Sequence, residues 1–458
     1  MRFLFTTLQT YESEFYGRVG AELERRGHDV SHLTFSRAAA TALAELGFDA
    51  RCLPDVVAAL PAGGTLDEER QRIETTYALP SIREIYRVDW AAAGLSEEAS
   101  IRRTVEQVRA VEHVLEDVQP DVLVPEVGNE TIRQAMHLAG IERGIPVLFL
   151  FYTIFPKPLR LYIDTVHAPI VPVDALRELT AEERAEVDAF RAEFIARATP
   201  TVPHRRVPIE LRRVRVFADH LARRRGPDHD NDYLRPGKLL ATNVSEWTRA
   251  KLAKPFYDDI PEGRPFVYFP LHVTDDYKIK KVIPHCYDQA SILEQIAEAL
   301  PPGHDLVLKE HPMSIGRNSL RLIRRLRERR NVFLVDPHTN THELIRRAEA
   351  VAVISSTVGL EALLYDQPVL TLGGPFYSGY GITLDLDSFA EIRDGVPALL
   401  RFRPDPERIR EFLFAAMNRC YPGSSVTVDR SDENANALAA SIEEAGQAAV
   451  EKKQAAVG

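Results

Sequence analysis

The sequence predicts an α/β protein whose domains are built on parallel β-sheets. In its second half, short apolar runs typical of buried strands alternate with helical patterns, which indicates a doubly wound parallel sheet. The chain opens in the same way, with a strand at Arg2–Thr6, a helix at Ser13–Arg26 and a strand at Val30–Phe35. Its 458 residues exceed one typical domain and suit two of ordinary size.

These patterns divide the chain into three parts. Residues 1–236 form a Rossmann-like domain with helical insertions, of which the longest is at 61–118. Residues 237–425 form a second Rossmann-like domain, preceded by a linker rich in Asp and Asn at 227–236. Residues 426–458 form a C-terminal helix and a frayed tail, because bulky apolar residues are scarce there.

Composition narrows the class of protein. A hydrophobic fraction of 45% is enough for real cores, and a net charge of −10 argues against broad nucleic-acid binding. Three widely separated cysteines suit a reducing cytoplasm and exclude a cysteine-rich zinc module. Neither a secretory signal nor an apolar run of the roughly 20 residues needed for a membrane helix is evident. We therefore expect a cytoplasmic protein.

Five buried strands are predicted in the second domain. They lie at Phe266–Phe269, Asp305–Leu308, Val332–Val335, Val351–Ile354 and Pro368–Leu372. The helices between and after them are predicted at 288–300, 315–329, 341–348 and 358–364. In such sheets, ligands bind at the carboxyl ends of the strands.

Two motifs at these strand ends suit a nucleotide phosphate. Lys309, His311 and Pro312 follow one strand, and Ser355-Ser356-Thr357 opens a helix after another. A cation, an imidazole and the free N–H groups of a helix start can together hold an anion. The alternative for the three hydroxyl residues is ordinary N-capping. Glu361, one turn into that helix, is either an acceptor for ribose hydroxyls or a plain helical glutamate.

A third group of polar residues follows the first strand of the second domain. His272, Asp275 and Asp276 crowd one loop beside the expected phosphate site. A carboxylate there can act as base, nucleophile or metal ligand, with a histidine to orient it or share its proton. The alternative is a polar turn that caps the next helix, which applies best to Asp275.

Two acids of the first domain occupy a comparable position. Glu126 and Glu130 follow the strand Asp121–Pro125, so we expect them at the carboxyl edge of that sheet. They are candidates for acid/base work, and the alternative is that a helix N-terminus simply favours carboxylates.

The segment Arg205–Arg225 is basic and amphipathic. It contains eight arginines interleaved with apolar residues. Such a segment can lie on an anionic membrane or hold an anionic acceptor. The alternative is a solvated helix face that covers the core with arginine stems.

The order of the motifs resembles that of the bacterial capsule-polysaccharide biosynthesis glycosyltransferases, including the retaining β-Kdo transferases that use CMP-Kdo. The His-Pro and Ser-Ser/Thr pair is also similar to that of bacterial sialyl- and polysialyltransferases. The resemblance covers residues 266–374 well and the amino-terminal half in outline. It is carried by Phe269-Pro270-Leu271-His272-x3-Asp276, Lys309-x-His311-Pro312 and Ser355-Ser356-Thr357-x-Gly359-x-Glu361-Ala362.

The resemblance implies a GT-B architecture, in which two Rossmann-like domains face across a cleft and the second holds the nucleotide. By position, His311, Ser356 and Thr357 would bind the CMP phosphate, with Lys309 and Ser355 beside them. Asp276 falls where the β-Kdo transferases have their catalytic aspartate. No metal or other cofactor is implied, because lysine, histidine and the helix-start amides hold the phosphate of the CMP-sugar, which is a substrate.

One departure from the family concerns the acid/base residue. The family has an acidic residue after a strand of the first domain, where this chain has Phe151-Tyr152-Thr153. Glu126 or Glu130, from the neighbouring loop, is the substitute that we expect.

The resemblance therefore predicts a cytoplasmic glycosyltransferase of capsule or lipopolysaccharide synthesis, with Kdo as the sugar, a glycan or glycolipid acceptor and a membrane surface as a further contact. The alternatives are a transferase of another CMP- or UDP-sugar by direct displacement, and a sugar-nucleotide 2-epimerase. A non-catalytic polysaccharide-assembly protein with the same fold is the alternative outside enzymes.

Overall fold

A computed structural model describes residues 1–199 and 211–457 of the chain. The chain divides into two compact units. Unit 1 comprises residues 1–166, 214–237 and 420–458, and unit 2 comprises residues 167–213 and 238–419. The change at 237/238 lies one residue from the predicted boundary, whereas residues 167–213 join the second unit and residues 420–458 join the first.

Twelve strands and seventeen α-helices are found in the described residues. The strands are β1 (Arg2–Thr7), β2 (Asp29–Thr34), β3 (Asp49–Cys52), β4 (Val122–Val124), β5 (Leu148–Tyr152), β6 (Leu159–Ile163), β7 (Phe266–Pro270), β8 (Asp305–Lys309), β9 (Val332–Val335), β10 (Ala350–Val353), β11 (Val369–Thr371) and β12 (Leu384–Asp385). The helices are α1 (Thr10–Arg25), α2 (Arg37–Glu45), α3 (Leu53–Ala59), α4 (Leu66–Thr76), α5 (Arg83–Tyr86), α6 (Glu97–Val118), α7 (Thr131–Glu142), α8 (Ala181–Arg197), α9 (Leu211–Arg225), α10 (Pro236–Ala253), α11 (Gln289–Ala299), α12 (Leu320–Leu326), α13 (Thr341–Arg347), α14 (Thr357–Leu364), α15 (Ile392–Arg401), α16 (Pro406–Met417) and α17 (Asp432–Val457).

Unit 1 is built on a parallel sheet of strand order β3-β2-β1-β4. A parallel bridge from Leu123 to Val147 brings β5 next to β4, and β5 pairs antiparallel with β6. Helices cover both faces of this sheet, so Leu4 of β1 is buried in one core cluster and Phe3 and Phe5 in the other. The predicted helical insertion at 61–118 is confirmed as α4, α5 and α6.

Unit 2 is a doubly wound parallel sheet of order β12-β11-β10-β7-β8-β9. All residues of β7, β8 and β10 are buried, as expected for central strands covered on both faces. The five predicted strands of this domain are each found within one residue at either end. The prediction of two Rossmann-like α/β domains is thus confirmed.

Two sequence-based predictions about connecting segments are wrong. The frayed tail is a helix, because α17 continues to Val457 and packs along α1 with buried Ala445 and Ala449. The segment 227–236 is not a loose linker in structural terms. Asp228 is buried and accepts hydrogen bonds from Ser36 and the Arg37 amide, and Asn231 donates to the Phe35 carbonyl.

Within the described residues, no helix combines the length and the low charge that crossing a bilayer requires. The basic segment is described only from residue 211 onward, where it forms α9; its residues 205–210 lie outside the described residues. In α9, Arg223 pairs with Asp228 at 2.7 Å and Arg224 donates to the Asn231 carbonyl, so these two arginines have structural partners.

Gly359, in the first turn of α14, is predicted to be intolerant of a side chain. A Cβ atom there would lie 2.1 Å from the hydroxyl oxygen of Tyr377, which is fully buried and donates to the Ser356 carbonyl. We expect Gly359→Ala to lower the free energy of unfolding by about 1–3 kcal/mol through overpacking, measured by urea denaturation.

The matched control is Gly237→Ala, because nothing lies within 4 Å of a Cβ at that helical position. This change should be neutral, or stabilising by up to about 1 kcal/mol. Equal effects of the two substitutions would contradict the packing around Tyr377.

Candidate active site

The loops that carry the predicted site residues of unit 2 meet at the topological switch point of its sheet. After β7, the chain forms β8 and β9 on one side of β7 and then β10 and β11 on the other side. Strands β7 and β10 are therefore neighbours, and the connections that leave them run in opposite directions along the sheet. Ligands of open α/β sheets bind in the crevice at such a point. His272 and Asp276 follow β7, His311 follows β8, and Ser355–Thr357 follow β10.

His272 links two of these loops. Its Nε2 accepts a hydrogen bond from the Ser355 amide at 3.1 Å, so its proton is on Nδ1. Gln289 fixes its backbone, accepting from the His272 amide at 2.9 Å and donating to the His272 carbonyl at 3.3 Å. Burial, with smaller contributions from His311 and Lys278, lowers the pKa of His272 to about 3. The imidazole is therefore neutral and joins the β7 loop to the β10 loop.

Asp276 lies at the exposed end of the β7 loop. Its Oδ1 accepts from the Lys278 amide at 2.7 Å, where a π-helical turn, Lys278–Val282, begins. Desolvation by the surrounding protein raises the pKa of Asp276 although the residue is exposed at the surface, and the charge of Asp275 adds to this, while the Lys278 amide and ammonium oppose it. Asp275 instead pairs with Arg317 at 3.1 Å. The turn contact predicted for Asp275 is thus made by Asp276.

His311 begins the short 3-10 helix Pro312–Ser314 after β8. Its Nδ1 accepts from the Met313 amide at 3.1 Å, which leaves the proton on Nε2 as a donor. Burial lowers the pKa of His311 to about 4, and the charges of Lys309 and Arg317 contribute. Pro312 is buried and shapes the turn. His311 is thus a neutral imidazole with one N–H to offer a ligand.

The hydroxyl residues after β10 shape the start of α14. Ser356 is the N-cap, with its Oγ accepting from the Val358 amide at 3.2 Å, so the capping interpretation is confirmed for this residue. The Oγ of Ser355 is buried and has no hydrogen-bond partner among the described residues. Thr357 is the first residue of the helix. The first N–H groups of a helix lack intrahelical acceptors, so this helix start is suited to an anion.

Lys309 and Glu361 lie below this surface. Lys309 is 6% exposed, and its Nζ donates to the Thr339 carbonyl at 3.0 Å and to Thr341 Oγ1 at 2.5 Å. Burial lowers the pKa of Lys309 to about 8, and the charge of Glu361, itself buried, opposes this. These contacts favour a structural role for both residues, and their contact with a nucleotide stays a prediction.

The two predicted acids of unit 1 lie in a buried charged cluster. Glu126 has a φ of +57°, a strained conformation for this residue type, and its Oε1 accepts from the Tyr16 hydroxyl. Arg133 contacts Glu130 at 3.2 Å and Glu12 at 3.3 Å. Burial raises the pKa of Glu126 and of Glu130, and Arg133 opposes both shifts. Glu130 is the N-cap residue of α7 without a side-chain capping bond, so it lies where a helix N-terminus favours a carboxylate, as the alternative interpretation states.

Glu126 also lies near the end of β5. The pKa of Tyr152 is raised first by burial and then by the charge of Glu126. Tyr152 belongs to the stretch where the resembling family has its acidic residue, and the structure brings a carboxylate from the β4 loop close to that place. Strand β1 lies between β2 and β4, so Glu126 is at the switch point of its own sheet.

Sequence reasoning missed one buried carboxylate beside this site. Glu310, between Lys309 and His311, is 1% exposed and accepts hydrogen bonds from Tyr257 and Asn318. The only sequence signal is its position inside the motif, since its partners are distant in the chain.

The fold and the position of these loops define an α/β protein with polar loops at the carboxyl ends of parallel strands. Residues 202–397, less than half of the chain, match the family model described as "Capsule polysaccharide biosynthesis protein". Over this segment, the family resemblance predicted from the motifs is confirmed.

Relatives with matching segments come from several bacteria. The chain is 31% identical over 159 residues to "Protein FixF" of Sinorhizobium fredii, covering 32% of this chain and 36% of that protein. It is 32% identical over 96 residues to "Capsule polysaccharide export protein KpsS" of Escherichia coli, covering 20% and 25%. It is 28% identical over 120 residues to "Capsule polysaccharide modification protein LipA" of Neisseria meningitidis serogroup B, covering 26% and 17%. The matches therefore span about a third or less of each relative.

Solved structures are similar at low identity. "Thermosulfurimonas dismutans KpsC, beta Kdo 2,7 transferase" is 17% identical with a TM-score of 0.33, covering 70% of this chain and 88% of that chain. A UDP-GlcNAc 2-epimerase from Neisseria meningitidis is 14% identical with a TM-score of 0.31, covering 90% and 94%.

The buried neutral state of His272 predicts a pH dependence of stability. The pKa of His272 in the folded protein, about 3, lies below the ordinary value of 6.5, so the unfolded state binds more protons between these limits. Stability should fall as pH decreases below 6.5. We expect His272→Gln to reduce this loss by up to about 1.4 kcal/mol per pH unit, measured by urea denaturation at pH 7.5, 6.5 and 5.5.

His338→Gln, at an exposed histidine of the same unit, is the matched control. An unchanged pH slope in His272→Gln would show that His272 is protonated, or exposed to solvent, in the folded protein.

Proposed function

We propose that this chain is a glycosyltransferase of bacterial surface-polysaccharide synthesis, for capsule or lipopolysaccharide. It transfers an acidic sugar, Kdo, from CMP-β-Kdo to a glycan or glycolipid acceptor. The acceptor and the linkage are left open. The proposal includes no metal and no cofactor other than the donor substrate itself.

One observation carries the proposal. Two neutral imidazoles, a carboxylate and a helix start converge at the switch point of a sheet that lies within the segment matched by the capsule family. A nucleotide phosphate needs hydrogen-bond donors, and a reacting sugar needs a carboxylate beside it. Both are supplied here by residues from three adjacent loops.

The donor phosphate is held by groups from two of these loops. His311 offers the N–H of its Nε2, and the start of α14 offers the amides and hydroxyls of Ser356 and Thr357. The unpaired hydroxyl of Ser355 gains a partner when an anion binds. These donors stabilise the negative charge that develops on the phosphate as CMP leaves.

Asp276 is the nucleophile in the first step. Its carboxylate oxygen forms a bond to the anomeric carbon while the bond from that carbon to the CMP phosphate oxygen breaks, and the electron pair leaves with CMP. The Lys278 amide holds Oδ1 at 2.7 Å and so orients the other oxygen of the carboxylate. The product is a covalent sugar–enzyme ester.

The acceptor hydroxyl completes the reaction in the second step. A general base takes the hydroxyl proton as the oxygen attacks the anomeric carbon, and the bond to Asp276 breaks with its electron pair returning to the carboxylate. Glu126 is the candidate for this base that the family resemblance suggests. Two inversions give net retention. Burial, which raises the pKa of Glu126, brings this carboxyl closer to the range useful for a general base. Glu130 is the second candidate for this role.

An anionic membrane surface is proposed as a further contact through the segment Arg205–Arg225. Its support is the composition of the segment and the exposure of Val214 and Val216 in the described part of α9. This contact is secondary to the proposed activity.

The test of the proposed function is donor turnover by Asp276→Asn. With a panel of CMP-Kdo, a CMP-sialic acid and UDP-sugars, we expect CMP-Kdo to be turned over by the wild type and the variant to lose at least about 100-fold in kcat. The affinity for CMP should be unchanged, because Asp276 is not among the phosphate ligands.

Asp387→Asn, at an exposed aspartate of the same unit outside the β7 loop, is the matched control. Full turnover by Asp276→Asn would show that Asp276 is not the nucleophile. Turnover of a UDP-sugar only would favour the direct-displacement alternative. Nucleotide binding without turnover of any donor by the wild type would favour the assembly protein.

A further inference from the structure

A chain of hydrogen bonds runs behind the β7 loop and ends two residues before Asp276. Tyr257 donates to Glu310 Oε2 at 2.5 Å, and Asn318 Nδ2 donates to Glu310 Oε1 at 2.6 Å. Thr274 Oγ1 donates to Asn318 Oδ1 at 2.7 Å. Each carboxylate oxygen of Glu310 thus accepts one donor, and the side-chain amide of Asn318 connects the carboxylate to the loop.

The far end of this chain is fixed to the sheet. Asp258, next to Tyr257, forms a bridge to β9, and its Oδ2 accepts from the Leu334 amide at 3.0 Å. Glu310 directly follows β8 and is 1% exposed, and Asn318 is 5% exposed. Burial of this kind makes a broken hydrogen bond costly, so the chain has little freedom to rearrange.

A parallel contact reinforces the connection. Arg317, adjacent to Asn318, pairs with Asp275, adjacent to Thr274, at 3.1 Å. The segment that carries Arg317 and Asn318 is itself held by α10. Arg249 donates to the Gly316 carbonyl at 2.7 Å, and a Cβ at Gly316, whose φ is +78°, would lie 2.0 Å from the carbonyl oxygen of Glu246. Two successive residues therefore hold two successive residues of the β7 loop.

We propose that Glu310, Asn318 and Thr274 are positioning residues. They fix the position and orientation of the Asp276 carboxylate relative to His311. Glu310 is adjacent to His311, a proposed phosphate ligand, and is connected through Asn318 to Thr274 on the loop of Asp276. Glu310 therefore helps to fix both the phosphate ligand and the nucleophile. The inference rests on the proposed function. It adds to it that the reacting carboxylate depends on a buried carboxylate that does not touch the substrate.

The β7 loop needs this support because the position of Asp276 controls the rate of attack. The other restraints on Asp276 are local: its own turn, and the bond from Lys278. A nucleophile displaced by about 1 Å can lose about 100-fold in rate, because the attack distance and angle are narrow. The bonds of His272 with Gln289 and Ser355 fix the start of the loop, and the contacts of Asn318 and Arg317 fix Thr274 and Asp275, the two residues before Asp276, to a segment distant in sequence.

The experiment is steady-state kinetics of Thr274→Val on CMP-Kdo, with CMP affinity and melting temperature measured in parallel. Valine keeps the shape of threonine and removes only the hydroxyl. We expect kcat to fall by about 10- to 100-fold, with the Kd for CMP within about twofold of the wild type. Thr274→Ser restores the hydroxyl and should recover most of kcat.

Thr383→Val is the matched control. Thr383 Oγ1 donates to Asp385 Oδ1 at 2.7 Å in the same unit, so this variant loses a hydrogen bond of equal length outside the proposed chain. Its kcat should equal that of the wild type. Each variant loses one hydrogen bond, so we expect the two melting temperatures to fall by similar amounts. A difference in kcat between the two variants then reports on positioning and not on stability.

Three results would overturn the inference. An unchanged kcat in Thr274→Val shows that the chain does not position the nucleophile. A fall in kcat that Thr274→Ser does not recover, or that accompanies an equal loss of CMP affinity, shows a general structural effect. Absence of turnover by the wild type overturns the proposed function and this role with it, whereas wild-type turnover with an unaffected Thr274→Val overturns only this role.

Discussion

The hydrogen bond from the Ser355 amide to His272 Nε2 joins the two loops that diverge at the switch point of the second sheet. The bond needs a neutral imidazole with its proton on Nδ1, and burial provides that state by lowering the pKa of His272 to about 3. The bond fixes the chain just before α14 against the start of the β7 loop. The placement of the helix start, of Ser356 as its cap and of the loop that carries Asp276 all depend on this bond.

Both units have a carboxylate at the switch point of a parallel sheet, but they hold it differently. Asp276 is exposed and is restrained by a backbone amide, whereas Glu126 is held by Tyr16 in a conformation with positive φ. Desolvation raises the pKa of both groups, so the two residues differ in exposure and in hydrogen-bond partners rather than in the direction of the pKa shift.

The sequence predicts the second sheet well because its strands are buried on both faces and read as continuous apolar runs. It misplaces the tail because Gly446–Gly458 has few bulky apolar residues; alanine, however, is the strongest helix former, and Ala449 packs in the core. It also reads 227–236 as a linker, since Asp and Asn are typical of loops, although Asp228 and Asn231 are buried caps of the β2–α2 connection. The residues at strand ends are predictable by position, but the Thr274–Asn318–Glu310 chain is not, because its contacts join residues distant in the sequence.

Hydrogen exchange of the wild-type protein with and without CMP tests the central claim, that a nucleotide phosphate binds at the switch point of the second sheet. We predict slower amide exchange in three segments, 271–278, 311–314 and 354–360, because ligand binding stabilises the state in which these loops are closed on the phosphate. UDP, as the comparison nucleotide, should give weaker protection. Protection confined to other segments, or none at saturating CMP, would contradict the account.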